Sequence, residues 1–189
     1  GVITIRSCSP DESSWELNEL QQGAFTYALL EGLGNKDKKA TVERLNEYLK
    51  YRVKELVQHK GQQTPRIMVE PIEKSHLILM PRYASAVTST VGIAITIGIN
   101  QYDFMRPLKY ASDHAKNMRN FLLDEAGFDD VFYFSDDSPN INGVSTRPTR
   151  SMFVLFLEEE VKRLSLRAGH NFWFFFSGYC VRLKGCLLY

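Results

Sequence analysis

Three short runs in the second half of the chain are apolar almost throughout, and a helical pattern separates each from the next. They are Gly92 to Ile99, Val131 to Phe134, and Asn171 to Phe176, which reads Asn-Phe-Trp-Phe-Phe-Phe. A strand with no polar alternation is one buried on both faces, the condition of a parallel strand covered by helices. Between the first two runs Asp113 opens a helix with the stripe Ala115, Met118, Leu122 and Ala126, closed by Gly127. Between the last two, Thr149 follows Pro148 and caps a helix that turns Phe153, Leu157, Val161 and Leu164 inward. Strand–helix–strand–helix–strand predicts an α/β layer with a mostly parallel sheet and helices on both faces. The working residues of such a sheet lie just past the carboxyl ends of its strands. Ser177-Gly178-Tyr179-Cys180 is such a place.

The first half follows a different plan. Val2 to Ile5 reads as a strand that ends at Arg6-Ser7-Cys8-Ser9-Pro10, a second strand-end candidate. A polar stretch runs from Asp11 to Gln22. Phe25, Ala28, Leu29 and Leu33 then recur at helical spacing, with Gly32 and Gly34 closing the helix. Thr41 caps a longer helix with Val42, Leu45, Leu49, Val53 and Leu56 on one stripe. Ile67 to Val69 and Leu77 to Leu79 are short strands or edge segments. Ala84 to Thr90 is small and polar, so the expected division is 1–82, a linker at 83–91, and 92–189.

Bulk properties remove several function classes. The chain has 189 residues, 44% of them hydrophobic and 24% charged, which is globular. A net charge of +1 lacks the basic excess of a nucleic-acid protein. No apolar run reaches the ~18 residues of a membrane span, and Gly1 to Ser9 lacks a signal-peptide layout. Cys8, Cys180 and Cys186 fit no zinc spacing, and the simplest setting is a reduced, cytoplasmic one. The single glycine of Ile97-Gly98-Ile99-Asn100 makes no phosphate loop, and no cofactor is expected.

Particular residues carry a family resemblance. They include Ile97-Gly98-Ile99-Asn100-Gln101-Tyr102, Pro107-Leu108-Lys109-Tyr110-Ala111-Ser112-Asp113, Ala126-Gly127-Phe128 and Phe174-Phe175-Phe176-Ser177-Gly178. This text resembles the large-subunit half of caspase-like cysteine peptidases of the bacterial and metacaspase type. Ser7-Cys8-Ser9-Pro10, Leu20 to Leu33 and Gln63-Thr64-Pro65 resemble the small-subunit half of the same branch. In that family the large-subunit half comes first. Here the halves are reversed, and the central segment that carries the nucleophilic Cys, commonly after Asp-Ala, is absent. The implied fold is a caspase-like sandwich lacking one central strand, with apolar edges that favour self-association or strand donation by another copy.

The resemblance also fixes expectations about chemistry. The family's Ser-Gly-His-Gly carries the catalytic His, and here Tyr179 stands in that place. An imidazole titrates near about 6.5 and a phenol near about 10, so Tyr179 donates hydrogen bonds and is a poor base. His170, at the far end of the same strand, is too distant to substitute. His59, His76 and His114 are read as surface or capping residues. Cys180 is a weak alternative nucleophile, with Arg182 and Lys184 nearby. Asp113 matches the family's S1-pocket Asp, which prefers Arg or Lys in the substrate, although it also suits a helix cap. Ser7 and Cys8 match a loop that walls the pocket.

The resulting expectation is a catalytically degenerate caspase-like domain acting as an interaction or regulatory module. Its partners would be related caspase-like domains or a protein segment bearing a basic residue. The competing expectation is a peptidase whose nucleophile comes from another segment or chain. Calcium activation is implied by the resemblance alone.

Overall fold

The computed structural model describes residues 2–34, 41–70, 91–136, 148–163, 170–179, 181–183 and 186–188. The chain divides into two units, Gly1–Ser89 and Thr90–Tyr189. The expected strand at Leu77 to Leu79 and the linker up to Thr90 lie outside the described residues, as do His76, Leu164 and Cys180.

In the first unit, β1 (Val2–Arg6) is followed by two very short strands, β2 (Glu16–Leu17) and β3 (Gln22–Gly23), which pair with each other antiparallel. The stretch expected to be only polar therefore holds a small hairpin. Helix α1 (Ala24–Leu33) follows directly. Gly32 lies inside it rather than closing it, and a Cβ there would meet Leu45 and Tyr48 at under 3 Å, so it marks a close approach of two helices. Gly34 is the C-cap, its N–H bonded to Leu30 O. Helix α2 (Val42–Val57) starts at Thr41 as expected, with Thr41 Oγ1 accepting from Arg44 N. Val42, Leu45, Leu49, Val53 and Val57 form its buried stripe.

β4 (Arg66–Glu70) pairs antiparallel with β1, residue for residue from Arg6↔Arg66 to Val2↔Glu70. Ile67 and Val69 are half-buried between the exposed Arg66, Met68 and Glu70, the alternation of a sheet with one wet face.

In the second unit β5 (Gly92–Gly98) is buried at every position, as its unbroken apolar run requires. Helix α3 (Ala111–Asn120) continues into a π-helical turn, Phe121–Glu125, and ends at Gly127 with φ 73°. It begins at Ala111, two residues before the expected start. β6 (Asp130–Ser135), α4 (Arg150–Arg163) and β7 (Asn171–Ser177) complete the layer. Thr149 Oγ1 accepts from Met152 N at the start of α4. A last pair, β8 (Val181–Leu183) and β9 (Cys186–Leu188), is an antiparallel hairpin.

The sheet is parallel in the order β6-β5-β7. Strand alternation gives it two faces. Ile95, Ile97, Phe132, Phe134 and Phe176 pack against Phe153, Phe156 and Leu157 of α4. The opposite face carries Thr96, Gly98, Tyr133 and Ser177, and α3 lies there: Tyr133 Oη donates to Ser112 O, and His114 reaches Ser177. The layer is the expected α/β arrangement.

Candidate functional site

The carboxyl end of the parallel sheet is built from the loop after β5, the start of α3, the residue after β6 and the turn after β7. Gly98 makes the assembly possible. A Cβ there would stand 2.7 Å from Ser112 Cα, so only glycine lets the end of β5 meet the backbone of α3.

Asn100 then organises the loop. Its Oδ1 accepts from Ala111 N at 2.8 Å and from Ser112 N at 3.2 Å, satisfying the first donors of α3. Its carbonyl accepts from Leu108 N. Asp136, just past β6, accepts from the backbone N–H of Asn100 and of Gln101, the latter at 2.9 Å. The role of helix cap considered for Asp113 therefore belongs to Asn100. Asp113 lies in the first turn, exposed, where a carboxylate still favours the positive end of the helix.

Two contacts fasten the turn after β7. Tyr179 N donates to Tyr102 Oη at 2.8 Å, and the two rings meet edge to face with centroids 5.0 Å apart. The phenol lies tight over Gly178, where a Cβ would stand 2.5 Å from Tyr102 Oη. Burial raises the Tyr102 pKa; the Tyr179 N–H opposes this, while the charges of Asp136 and Tyr179 add to it. The second contact is a 2.9 Å hydrogen bond between His114 Nδ1 and Ser177 Oγ.

His114 is a correction to the sequence reading. It is not a surface or capping residue: it is 6% exposed, and burial lowers its pKa to about 4. A signal for this existed. Ala111, His114, Ala115 and Met118 follow helical spacing, and the structure buries all four. His114 and Ser177 have the separation of a base and a nucleophile. A buried imidazole titrating that low is a weak base, so the pair acts as a tie between α3 and β7. His59 is exposed just past α2, and His170 precedes β7 at the end opposite Tyr179, both as expected.

Ser7 and Cys8 lie in the first unit, whereas Asp113 and Tyr179 lie in the second. The Ser7–Glu12 loop is held by side chains from the segment before β4. Glu12 accepts from Ser9 N at 3.1 Å, Thr64 N at 2.6 Å and Thr64 Oγ1 at 2.9 Å. Its burial pushes the carboxyl pKa up. The hydrogen bonds from Ser9, Thr64 and Gln62 outweigh that, so it lies below the usual value. Gln63, 3% exposed, donates to Ser7 O and Ser14 Oγ and accepts from Trp15 N. Cys8 is a half-buried free thiol, 3.4 Å from Glu12 O and 3.8 Å from Ser7 Oγ. No group of metal-ligating side chains is found among the described residues, and none of their helices is long and apolar enough to cross a membrane.

Two family models match the chain. Residues 93–185 match the metacaspase, peptidase C14 domain, and residues 1–76 match the caspase domain. No curated protein matches the chain.

Proposed function

The chain is built of caspase-like sequence in two blocks of reversed order, and on that premise we propose that it does not cleave peptides alone and acts by associating with other caspase-like domains. The observation that carries this reading is Tyr179. It occupies the place of the family's catalytic imidazole, with its N–H and its ring both docked on Tyr102. The sequence also lacks an Asp-Ala-Cys segment. A thiol peptidase needs a thiolate beside an imidazole, and the imidazole that meets the end of β7, His114, is buried and bonded to Ser177.

The association arm rests on β7. Among the described residues its one hydrogen-bonded neighbour is β5, although its composition is that of an interior strand. Phe172 and Phe174 are 42% and 48% exposed on the α4 face, and Val154 and Leu155 of α4 are exposed as well. An apolar strand with such exposed side chains invites another chain. Asp113 supplies an exposed carboxylate for a basic side chain of the partner. We infer a reducing, cytoplasmic setting for this role from three cysteines that fit no zinc spacing, and the role calls for no cofactor.

The test is a fluorogenic peptide with Arg or Lys at P1, incubated with the chain with and without calcium. The expected result is no turnover above buffer. Turnover abolished by thiol alkylation would overturn the reading and favour a peptidase completed by another segment. For the association arm, size-exclusion chromatography should show concentration-dependent assembly. A strict monomer with a sharp cooperative melt would contradict it.

A further inference from the structure

The wet face of the β1–β4 sheet carries a feature that stability alone does not explain. Arg6 and Arg66 are directly opposite in the antiparallel register, so their side chains leave the same face with Cβ atoms about 5 Å apart. Like charges in that position repel. Neither guanidinium is paired with a carboxylate among the described residues, where the ion pairs are Arg52 with Glu31 and with Glu55. Both arginines are exposed.

One of the two is held in a set orientation. Arg66 Nε donates to Ser9 Oγ at 2.7 Å, and that hydroxyl is itself directed at Thr64 O. The loop behind it is the one fixed by Glu12 and Gln63. Arg66 is thus held through Nε, its two terminal nitrogens have no partner among the described residues, and Arg6 is the residue directly opposite. This is the geometry that a carboxylate satisfies with paired hydrogen bonds.

The rest of the face extends the pattern. Thr4↔Met68 is the next pair on it and Val2↔Glu70 the one after, about 7 Å apart along the strands. Val2 is 66% exposed and Met68 43%. The face therefore runs from basic, through apolar, to acidic over three steps.

We propose that this face binds an extended peptide segment of a partner protein whose alternate side chains are acidic, apolar and basic, with the carboxylate over Arg6 and Arg66, the apolar side chain over Met68 and the basic one towards Glu70. Charge complementarity and the unrelieved cross-strand repulsion argue for it. The proposal concerns the first unit alone and stands whether or not the chain cleaves peptides.

The test uses the full chain and a fluorescein-labelled peptide with one Asp two positions before a Leu, followed two positions later by a Lys. Its Asn twin serves as control, and anisotropy is read in low salt. The Asp peptide should bind at least tenfold tighter than the twin. Arg6→Gln and Arg66→Gln should each remove most of that difference, and Ser9→Ala, which frees Arg66, should weaken binding two- to threefold. Without peptide, Arg66→Gln should melt no lower than the parent, because it relieves repulsion, and this separates lost binding from lost folding. Equal binding of the two peptides would overturn the proposal. So would saturation of the pair by inorganic phosphate with no response to the Asp peptide.

Discussion

His114 Nδ1 lies 2.9 Å from Ser177 Oγ, and that bond joins the buried face of α3 to the last residue of β7. The turn carrying Tyr179 is thus fixed by its own strand, by α3 through His114, and by the loop after β5 through Tyr102.

This tie has a pH signature. The His114 pKa is lowered by burial to about 4, below the ordinary value of 6.5. An unfolded chain therefore takes up this proton first as pH falls. The stability from keeping the imidazole neutral is fully present above about 6.5 and is lost as pH drops through about 4. The difference corresponds to roughly 3 kcal/mol. Urea unfolding at pH 7 and pH 4.5 should show a stability drop of that order, and His114→Asn should flatten it while costing about 2 kcal/mol at pH 7. An unchanged pH dependence in the variant would assign the acid sensitivity to other groups.

Two glycines of the site should differ in their tolerance of a methyl group. At Gly98 the added Cβ meets the backbone of Ala111 and Ser112, which a packed helix cannot move. At Gly178 it meets the far ends of the Tyr102 and Phe176 side chains. Gly98→Ala should cost about 3 kcal/mol and Gly178→Ala about 1 kcal/mol, measured by thermal unfolding. The reverse order would mean that α3 can retreat from β5.

Glu12 should behave as the fastener of the Cys8 loop. Its lowered pKa makes its contribution complete at neutral pH, with loss as pH falls below the usual carboxylate range. Glu12→Gln should speed hydrogen exchange at the Ser9 and Thr64 amides at pH 7. It should also raise the reactivity of Cys8 toward a small alkylating reagent. Unchanged protection at both amides would shift the fastening role to Gln63.

The parts of the fold legible in the sequence were those set by local pattern. The unbroken run at Gly92 to Gly98 announced a strand buried on both faces, and Thr41 announced the start of α2. What sequence missed depended on distant partners. The start of α3 is fixed by Asn100, eleven residues upstream, so local pattern alone puts the helix start two residues late and His114 at an exposed end. Trp15 is positioned by Gln63, 48 residues away, which is why the hairpin within the polar stretch left no local trace. Tyr179 could be picked out by its place after a strand. Tyr102, which holds it, is 77 residues earlier, and its stretch carries the family resemblance without any local sign that it meets Tyr179.

The proposal that this chain does not cleave peptides alone rests on Tyr179 in the imidazole's place and on the lack of an Asp-Ala-Cys segment in its 189 residues, so restoring the imidazole should achieve nothing. The direct measurement is turnover of an Arg- or Lys-directed fluorogenic peptide by Tyr179→His, with calcium present and a thiol-alkylated control alongside. The account predicts a rate indistinguishable from buffer for both the parent chain and the variant. Alkylation-sensitive turnover by Tyr179→His would contradict it, because a thiol of this chain would then stand within reach of the restored imidazole.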